Sequence, residues 1–241
     1  MTTPLRLNGG PNFRALGGCD TTDDRRVRPG LVFRSGDSTT LTASDLELVK
    51  QLQPKMVVDL RSNKACAAYP ARWPLGANTE LIEANIMADM RSGQLDIMAP
   101  LKTSPNAAGA REMMQLTYRT LPEACGPAFG DMVRKLAQCG QAPAIFHCTY
   151  GRDRTGFFAA MLLHILNVPR NVIAADYLKS NNHIFLVATK SLTRSILKSL
   201  ADIEAAWQSR DDNYGGADAY LESVGVNTTI KASLRKLLLK N

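Results

Sequence analysis

The chain has no long hydrophobic run. Its longest apolar stretch, FFAAMLLHILNV at 157–168, contains His164. A membrane-spanning helix needs about 20 apolar residues, so this stretch reads as a buried helix and no transmembrane segment is expected. The amino-terminal MTTPLRLNGGP lacks the apolar core of a secretory signal, which points to a cytoplasmic protein or one exported without a visible signal peptide. No C-x-x-C pair is present. Cys19, Cys66, Cys125, Cys139 and Cys148 are odd in number and irregularly spaced, which fits a reducing compartment and indicates no zinc site. Internal repeats, linkers and disorder-like composition are also missing, so 241 residues at 45% hydrophobic read as one domain spanning 1–241. Neither sign of charge is scarce, but 29 Lys and Arg against 22 Asp and Glu give +7. That balance favours anionic partners without choosing among phosphorylated molecules, acidic lipids and nucleic acid.

The periodicity that is present alternates short strands with helices. GLVFRS (30–35), KMVVDL (55–60), NTELIEANI (78–86) and PAIFHC (143–148) read as strands. Between the first two, Thr42 and Asp45 approximate a capping box ahead of Leu46, Val49 and Leu52 at helical spacing. Phe129, Met132, Val133 and Leu136 form one apolar helical face before the fourth strand. Helices are then expected at 155–168, 170–182, about 185–208 and at the end, where Ile230, Leu234, Leu237 and Leu238 make a stripe. The expected fold is α/β, with a mainly parallel central sheet flanked by helices. Residues 87–110, with Met87, Met90 and Met98, two prolines and two glycines, read as an insertion of short helices or loop. Its adaptable methionines suit a mobile cover, and core helices explain them almost as well. The terminal Lys231, Arg235, Lys236 and Lys240 read as a solvated helix face.

AIFHCTYGRDRTGFF at 144–158 interrupts this apolar pattern with a dense polar island. Residues 143–156 read as a strand ending at Cys148, a short loop, and a helix starting near Thr155. Such a loop turns its N–H groups inward, and the helix adds unsatisfied amides and the positive end of its dipole, which together make an anion cradle. Gly151 and Gly156 allow unusual φ values and close approach to a ligand. A cysteine at such a position is a candidate thiolate nucleophile. Arg154 brings a planar fork that can hold two oxygens of a phosphoryl group. The chemistry these residues describe is phosphoryl transfer to cysteine followed by hydrolysis, with no metal or cofactor expected. His-Cys with Arg six positions beyond the Cys arises by chance in roughly one chain of this length in a few hundred, so the pattern is specific.

HCTYGRDRTG resembles the signature loop of the cysteine-dependent protein tyrosine phosphatases. More narrowly, it is similar to the bacterial and fungal branch whose loop reads H-C-x-x-G-K-D-R-T-G. PNFRALGG (11–18) resembles that branch's amino-terminal N-F-R-D-x-G-G element, and RPGLVFRSG and VVDLRS follow in order. The resemblance implies a tyrosine-phosphatase-like fold with a variable helical lid at about 87–125. It also implies hydrolysis of phosphotyrosine and, in some members, of phosphoserine, phosphothreonine and phosphoinositides. The expected partner is then a phosphorylated protein or an inositol phospholipid, and no nucleic acid. Two positions depart from the pattern. Arg152 stands where Lys is common, and Ala15 replaces a frequent Asp.

In this reading Cys148 is the nucleophile and Arg154 the phosphate clamp, with Thr149, Tyr150, Gly151, Arg152 and Asp153 lining the phosphate loop. His147 holds the loop and favours the thiolate, which is close to what a buried core histidine would do. Thr155 reads equally as a helix N-cap or as a hydroxyl donor to the sulfur. The general acid has several candidates: Asp153, for which the resemblance supplies a loop aspartate, then Asp59, then Asp89 and Asp96. For Asp59 an ion pair with Arg61 is the favoured reading, and Asp153 can also brace Arg152 or Arg154. Two alternatives remain beside the phosphatase. A rhodanese-type sulfurtransferase is disfavoured by His147 and by Arg154-Thr155-Gly156. A non-catalytic phosphate-reading module is disfavoured because it has no use for Cys148.

Overall fold

Three strand sequences, VFRS, MVVD and AIFH, are buried at every position, as happens when helices cover both faces of a parallel sheet. The computed structural model describes residues 5–86, 96–140, 142–183 and 199–241. In chain order the strands are β1 (Arg14–Leu16), β2 (Arg26–Val27), β3 (Val32–Ser35), β4 (Met56–Asp59), β5 (Glu80–Glu83), β6 (Ala144–His147) and β7 (Leu239–Lys240). The helices are α1 (Ala43–Leu52), α2 (Asn63–Ala68), α3 (Ala99–Thr103), α4 (Ala107–Cys139), α5 (Asp153–Ile165), α6 (Arg170–Leu178), then α7 (Leu200–Tyr214), α8 (Ala217–Ser223) and α9 (Thr228–Leu238).

The main sheet runs β1-β3-β6-β4-β5. Its β3–β6, β6–β4 and β4–β5 pairs are parallel, and β1 is antiparallel on one edge. The fold is therefore the mainly parallel α/β sheet expected. Side chains alternate between two cores with the strand period of two. Val32, Met56, Val58, Ala144 and Phe146 face the larger core with the helical carboxyl-terminal half. Phe33, Val57 and Ile145 face a smaller one with Val49 of α1, Phe13 and Trp73. The capping box at Thr42 forms as expected, and Asp45 also accepts the Asn8 and Gly9 amides at 2.8 Å each. Burial would raise the Asp45 carboxyl, but these backbone donors outweigh it and hold it low. That tie fixes the segment leading into β1.

The structure redraws the expected insertion. Residues 87–95, including Met87, Asp89 and Met90, lie outside the described residues. Beyond α3, the rest of 87–125 belongs to α4, a single helix of 33 residues. Tyr118, Leu121 and Cys125 of α4 sit in the larger core, so this part of the expected insertion is built into the framework. Gly130 lets α8 approach, because a Cβ there would lie 2.0 Å from the Val224 carbonyl oxygen. The helix expected at 170–182 ends at Leu178 and tightens into a 3-10 turn over Lys179–His183. Of the one expected at about 185–208, residues 185–198 lie outside the described residues, and α7 continues to Tyr214. Strand β1 and the small β2–β7 sheet were not anticipated. Arg235 is not simply solvated: it donates to the Ile165 carbonyl and to Asn167 Oδ1, both at 2.7 Å, closing the end of α5. Among the described residues no helix is long and apolar enough to cross a membrane.

Candidate active site

Parallel pairing brings the carboxyl ends of β3, β4 and β6 to one edge, where open α/β sheets bind ligands. β6 is central, and Cys148 follows its last residue, 3% exposed. His147 and Cys148, being adjacent, leave the strand toward opposite sides. Residues 149–152 form the loop, and α5 begins at Asp153. Its first backbone bond runs from Gly156 N to the Arg152 carbonyl at 2.7 Å. Among the described residues, the amides of Thr149, Tyr150, Gly151, Arg154 and Thr155 donate to no backbone carbonyl. Backbone amides left open by the helix at its N-terminus can cradle an anion. Gly151 sits at φ +65°, and a Cβ there would lie 2.5 Å from the Ser35–Gly36 backbone, so only glycine fits.

Four segments meet behind that glycine. Asn12 Nδ2 and Arg34 Nη2 donate to the Gly151 carbonyl at 2.5 and 2.9 Å. Arg34 Nη1 reaches Asp176 Oδ2 at 2.8 Å, and Arg14 Nε reaches Asp176 Oδ1 at 3.1 Å. Ser180 Oγ accepts from Asn12 and Arg34 at 3.2 Å each, and Arg14 also bonds Asn12 Oδ1. Burial would raise the Asp176 carboxyl, but the charges of Arg34 and Arg14 prevail and keep it ionised. None of these roles was read from the sequence. The available signal was Arg34 itself, a charge inside an otherwise apolar strand.

On the opposite face, Asp59 and His147 occupy paired positions of neighbouring strands. Arg61 grips Asp59 through Nε–Oδ1 (2.9 Å) and Nη2–Oδ2 (2.6 Å). Burial raises the Asp59 carboxyl and the Arg61 hydrogen bonds more than offset it, so it stays below the usual range. His147 Nε2 lies 3.6 Å from Asp59 Oδ2, and its Nδ1 lies 3.3 Å from the Cys148 carbonyl. Burial pushes the imidazole pKa down, which favours the neutral ring at neutral pH. The Trp73 ring packs against it, centroids 5.4 Å apart.

The remaining loop residues divide by environment. Arg154 is partly exposed, and its Nη1 donates to the Leu60 carbonyl beyond β4 at 2.9 Å, which braces the fork at the cradle's edge. Asp153 Oδ1 accepts from Tyr118 at 2.7 Å, and Tyr177 donates to Tyr118 at 2.9 Å. Burial, then the charge of Asp153, drives the Tyr118 phenol pKa far up, so it remains a donor. Thr155 is fully buried, and its hydroxyl has no hydrogen-bond partner among the described residues. Tyr150 is exposed at 66%, the most open side chain of the loop. Behind the site, burial pushes the Cys125 thiol up to about 12, leaving it protonated. Arg152 forms the entry to α5. Asp96 is paired with Lys102 at 2.8 Å in front of α3.

Cys148 directly before these amides and Arg154 just beyond them are the parts that a cysteine-dependent phosphohydrolase would use. The tyrosine phosphatase family model matches residues 5–240. A Cupriavidus necator protein named as a tyrosine-protein phosphatase is 31% identical over 223 residues, covering 87% of this chain and 80% of its own length. The triple specificity protein phosphatase PtpB of Mycobacterium tuberculosis is 29% identical over 280 residues, covering 97% and 98% respectively. Among solved structures, TpbA of P. aeruginosa covers 83% of this chain and 89% of its own at 15% identity, with a TM-score of 0.40. The chain belongs to the tyrosine phosphatase family.

Proposed function

We propose that this protein hydrolyses phosphotyrosine through Cys148. The thiolate attacks phosphorus, a P–S bond forms and the bond to the tyrosyl oxygen breaks. Arg154 and the loop amides hold the equatorial oxygens as charge develops on them. The leaving oxygen takes its proton from Asp153, which the hydrogen bond from Tyr118 holds at the start of α5. Asp59 is the weaker candidate, because Arg61 already holds it as a carboxylate. Water then attacks the cysteinyl phosphate, passing its proton to the carboxylate now ionised. The P–S bond breaks and sulfur departs as thiolate; the Thr155 hydroxyl, buried in the first turn of α5 and not bonded to the sulfur in the resting structure, would have to turn to donate to it. His147 fixes the strand end through the Cys148 carbonyl. The observation that carries the reading is that, directly after Cys148, the amides of Thr149, Tyr150 and Gly151, and those of Arg154 and Thr155 in the first turn of α5, donate to no backbone carbonyl among the described residues.

Exposed Tyr150 offers an aromatic face beside the cradle, which favours an aryl phosphate over an alkyl one. Phosphoserine, phosphothreonine and inositol lipid headgroups present the same phosphomonoester, and a panel of all four classes ranks them. Cys148→Ser should abolish turnover while inorganic phosphate still binds, because a serine hydroxyl is not ionised at neutral pH. Vanadate should inhibit, and chelators should leave the rate unchanged. More than a trace of activity in the serine variant would overturn the nucleophile assignment.

A further inference from the structure

The Gly151–Arg152 peptide is gripped from behind by two fully buried donors. Asn12 and Arg34 converge on the Gly151 carbonyl at 2.5 and 2.9 Å, and both are 0% exposed. A trans peptide is planar, so the N–H of residue 152 points opposite to that carbonyl, away from Asn12 and Arg34. The Thr149 carbonyl is held in the same way by the Asp37 amide at 3.0 Å, which turns the Tyr150 N–H the other way. Alternate carbonyls are thus drawn back toward β1 and β3, and the amides between them are turned toward the cradle.

The brace has a second effect. The Gly151 carbonyl stands four residues before Thr155 and is the natural acceptor for its amide if α5 began one residue earlier. With Asn12 and Arg34 occupying it, α5 starts its bonding at Gly156 N to Arg152 O, and the Thr155 amide is not consumed by the helix. Charge adds to geometry. Arg14 and Arg34 share the single carboxylate of Asp176, leaving one net positive charge buried behind the loop, where a low dielectric screens it little.

We propose that Asn12 and Arg34 are positioning residues for phosphoryl transfer, acting through the Gly151 carbonyl to aim the cradle's amides. The inference rests on the reading of residues 148–154 as a phosphate loop. Asn12 adopts φ +57°, a conformation Asp and Gly also tolerate. Asn12→Asp is nearly isosteric and cannot donate, and Asn12→Gly removes the donor without adding charge. Arg34→Lys keeps the charge but cannot span Gly151 and Asp176 together.

The test is calorimetric binding of phosphate and vanadate, with kcat and KM on an aryl phosphate and a melting curve for each variant. Both Asn12 variants should lose about 10- to 100-fold in vanadate affinity and in kcat, the range for partners that orient a site without touching the reactant. The loss should be larger for vanadate, which mimics the transition state, than for phosphate. Ile230→Ala in distant α9 should melt lower with unchanged vanadate affinity, separating orientation from general loosening. Folded Asn12 and Arg34 variants within about threefold of the parent for vanadate would overturn the positioning role while leaving the phosphatase reading intact. A parent protein that neither binds vanadate nor hydrolyses the ester would sink that reading and this inference with it.

Discussion

Replacing Arg61 by methionine tests how the edge beside the site is held. Arg61 makes three side-chain contacts to Asp59, at 2.6, 2.9 and 3.1 Å, with both residues 1% exposed. Methionine fills similar space and donates nothing. Asp59 would keep the residue-61 amide at 3.0 Å and the Cys66 thiol at 3.5 Å. Breaking a buried pair by removing one partner costs about 3–5 kcal/mol, because the surviving charge stays desolvated. At roughly 2–4 °C per kcal/mol for a chain of this size, the melting temperature should fall by about 6–20 °C near pH 7. The pH dependence has a definite sign. In the parent the Asp59 carboxyl is depressed, so its contribution is full above about pH 3.9 and is lost only as pH falls through its lower folded value. In the variant the same carboxyl is buried without its guanidinium and its pKa rises above 3.9. Its penalty is full at neutral pH and fades as acid protonates it. His147 acts in the same direction, because it loses the repulsion of Arg61 and gains the unopposed field of Asp59. The gap between parent and variant should therefore be widest near pH 7 and narrow toward pH 4. Adding Asp59→Asn to Arg61→Met should restore much of the loss. Parallel melting-temperature curves across that range, or no rescue by the second change, would refute the assignment.

Two further outcomes bear on the chemistry. Arg154→Lys should lower turnover by about a hundred- to thousand-fold, the usual cost of one transition-state donor, of about 2.7–4 kcal/mol, with a smaller effect on melting; a loss under tenfold would move the clamp to Arg152. Asp153→Asn should slow phosphotyrosine more than an aryl phosphate with a low leaving-group pKa and flatten the basic limb of the pH–rate profile, whereas equal losses would make Asp153 a brace and the same signature at Asp59→Asn would transfer the acid role.

The proposed phosphate loop was legible because its pattern is local. Strand, cysteine, glycine, arginine and helix start all lie within residues 144–158, and the roles proposed for them rest on spacing along one chain segment. The flanking strands were legible for the same reason, since VFRS, MVVD and AIFH are apolar runs of strand length. The brace was not. Asn12 and Gly151 are 139 positions apart, and Arg34 and Asp176 are 142 apart, so nothing in local periodicity couples them. Asp176 looks like one more polar residue on a helix until α6 folds against β1 and β3. The reach of α4 was missed for another reason. Its glycines and its two prolines, Pro122 and Pro127, lower helix propensity, while packing against α7 and α9, and the bond from Tyr220 of α8 to the Pro122 carbonyl, keep it continuous.

The parallel strands at the centre of the sheet share a feature that links pattern to function. Each begins apolar and ends on a buried polar residue: Ser35 on β3, where the charged Arg34 precedes it, Asp59 on β4 and His147 on β6. Their registers pair Ser35 with His147 and His147 with Asp59, so the three form one row across the carboxyl edge, directly before the loop that carries Cys148. A core built for stability alone has no reason to place hydroxyl, carboxylate and imidazole there, since each is costly to bury without full hydrogen bonding. Two of them are in fact incompletely satisfied, with Ser35 Oγ and His147 Nε2 lacking hydrogen-bond partners among the described residues. Apolar strands that turn polar only at their carboxyl ends mark the edge where the sheet stops being a core and becomes the floor of a site. That change is readable one strand at a time, but what the floor supports depends on the order in which the strands pair.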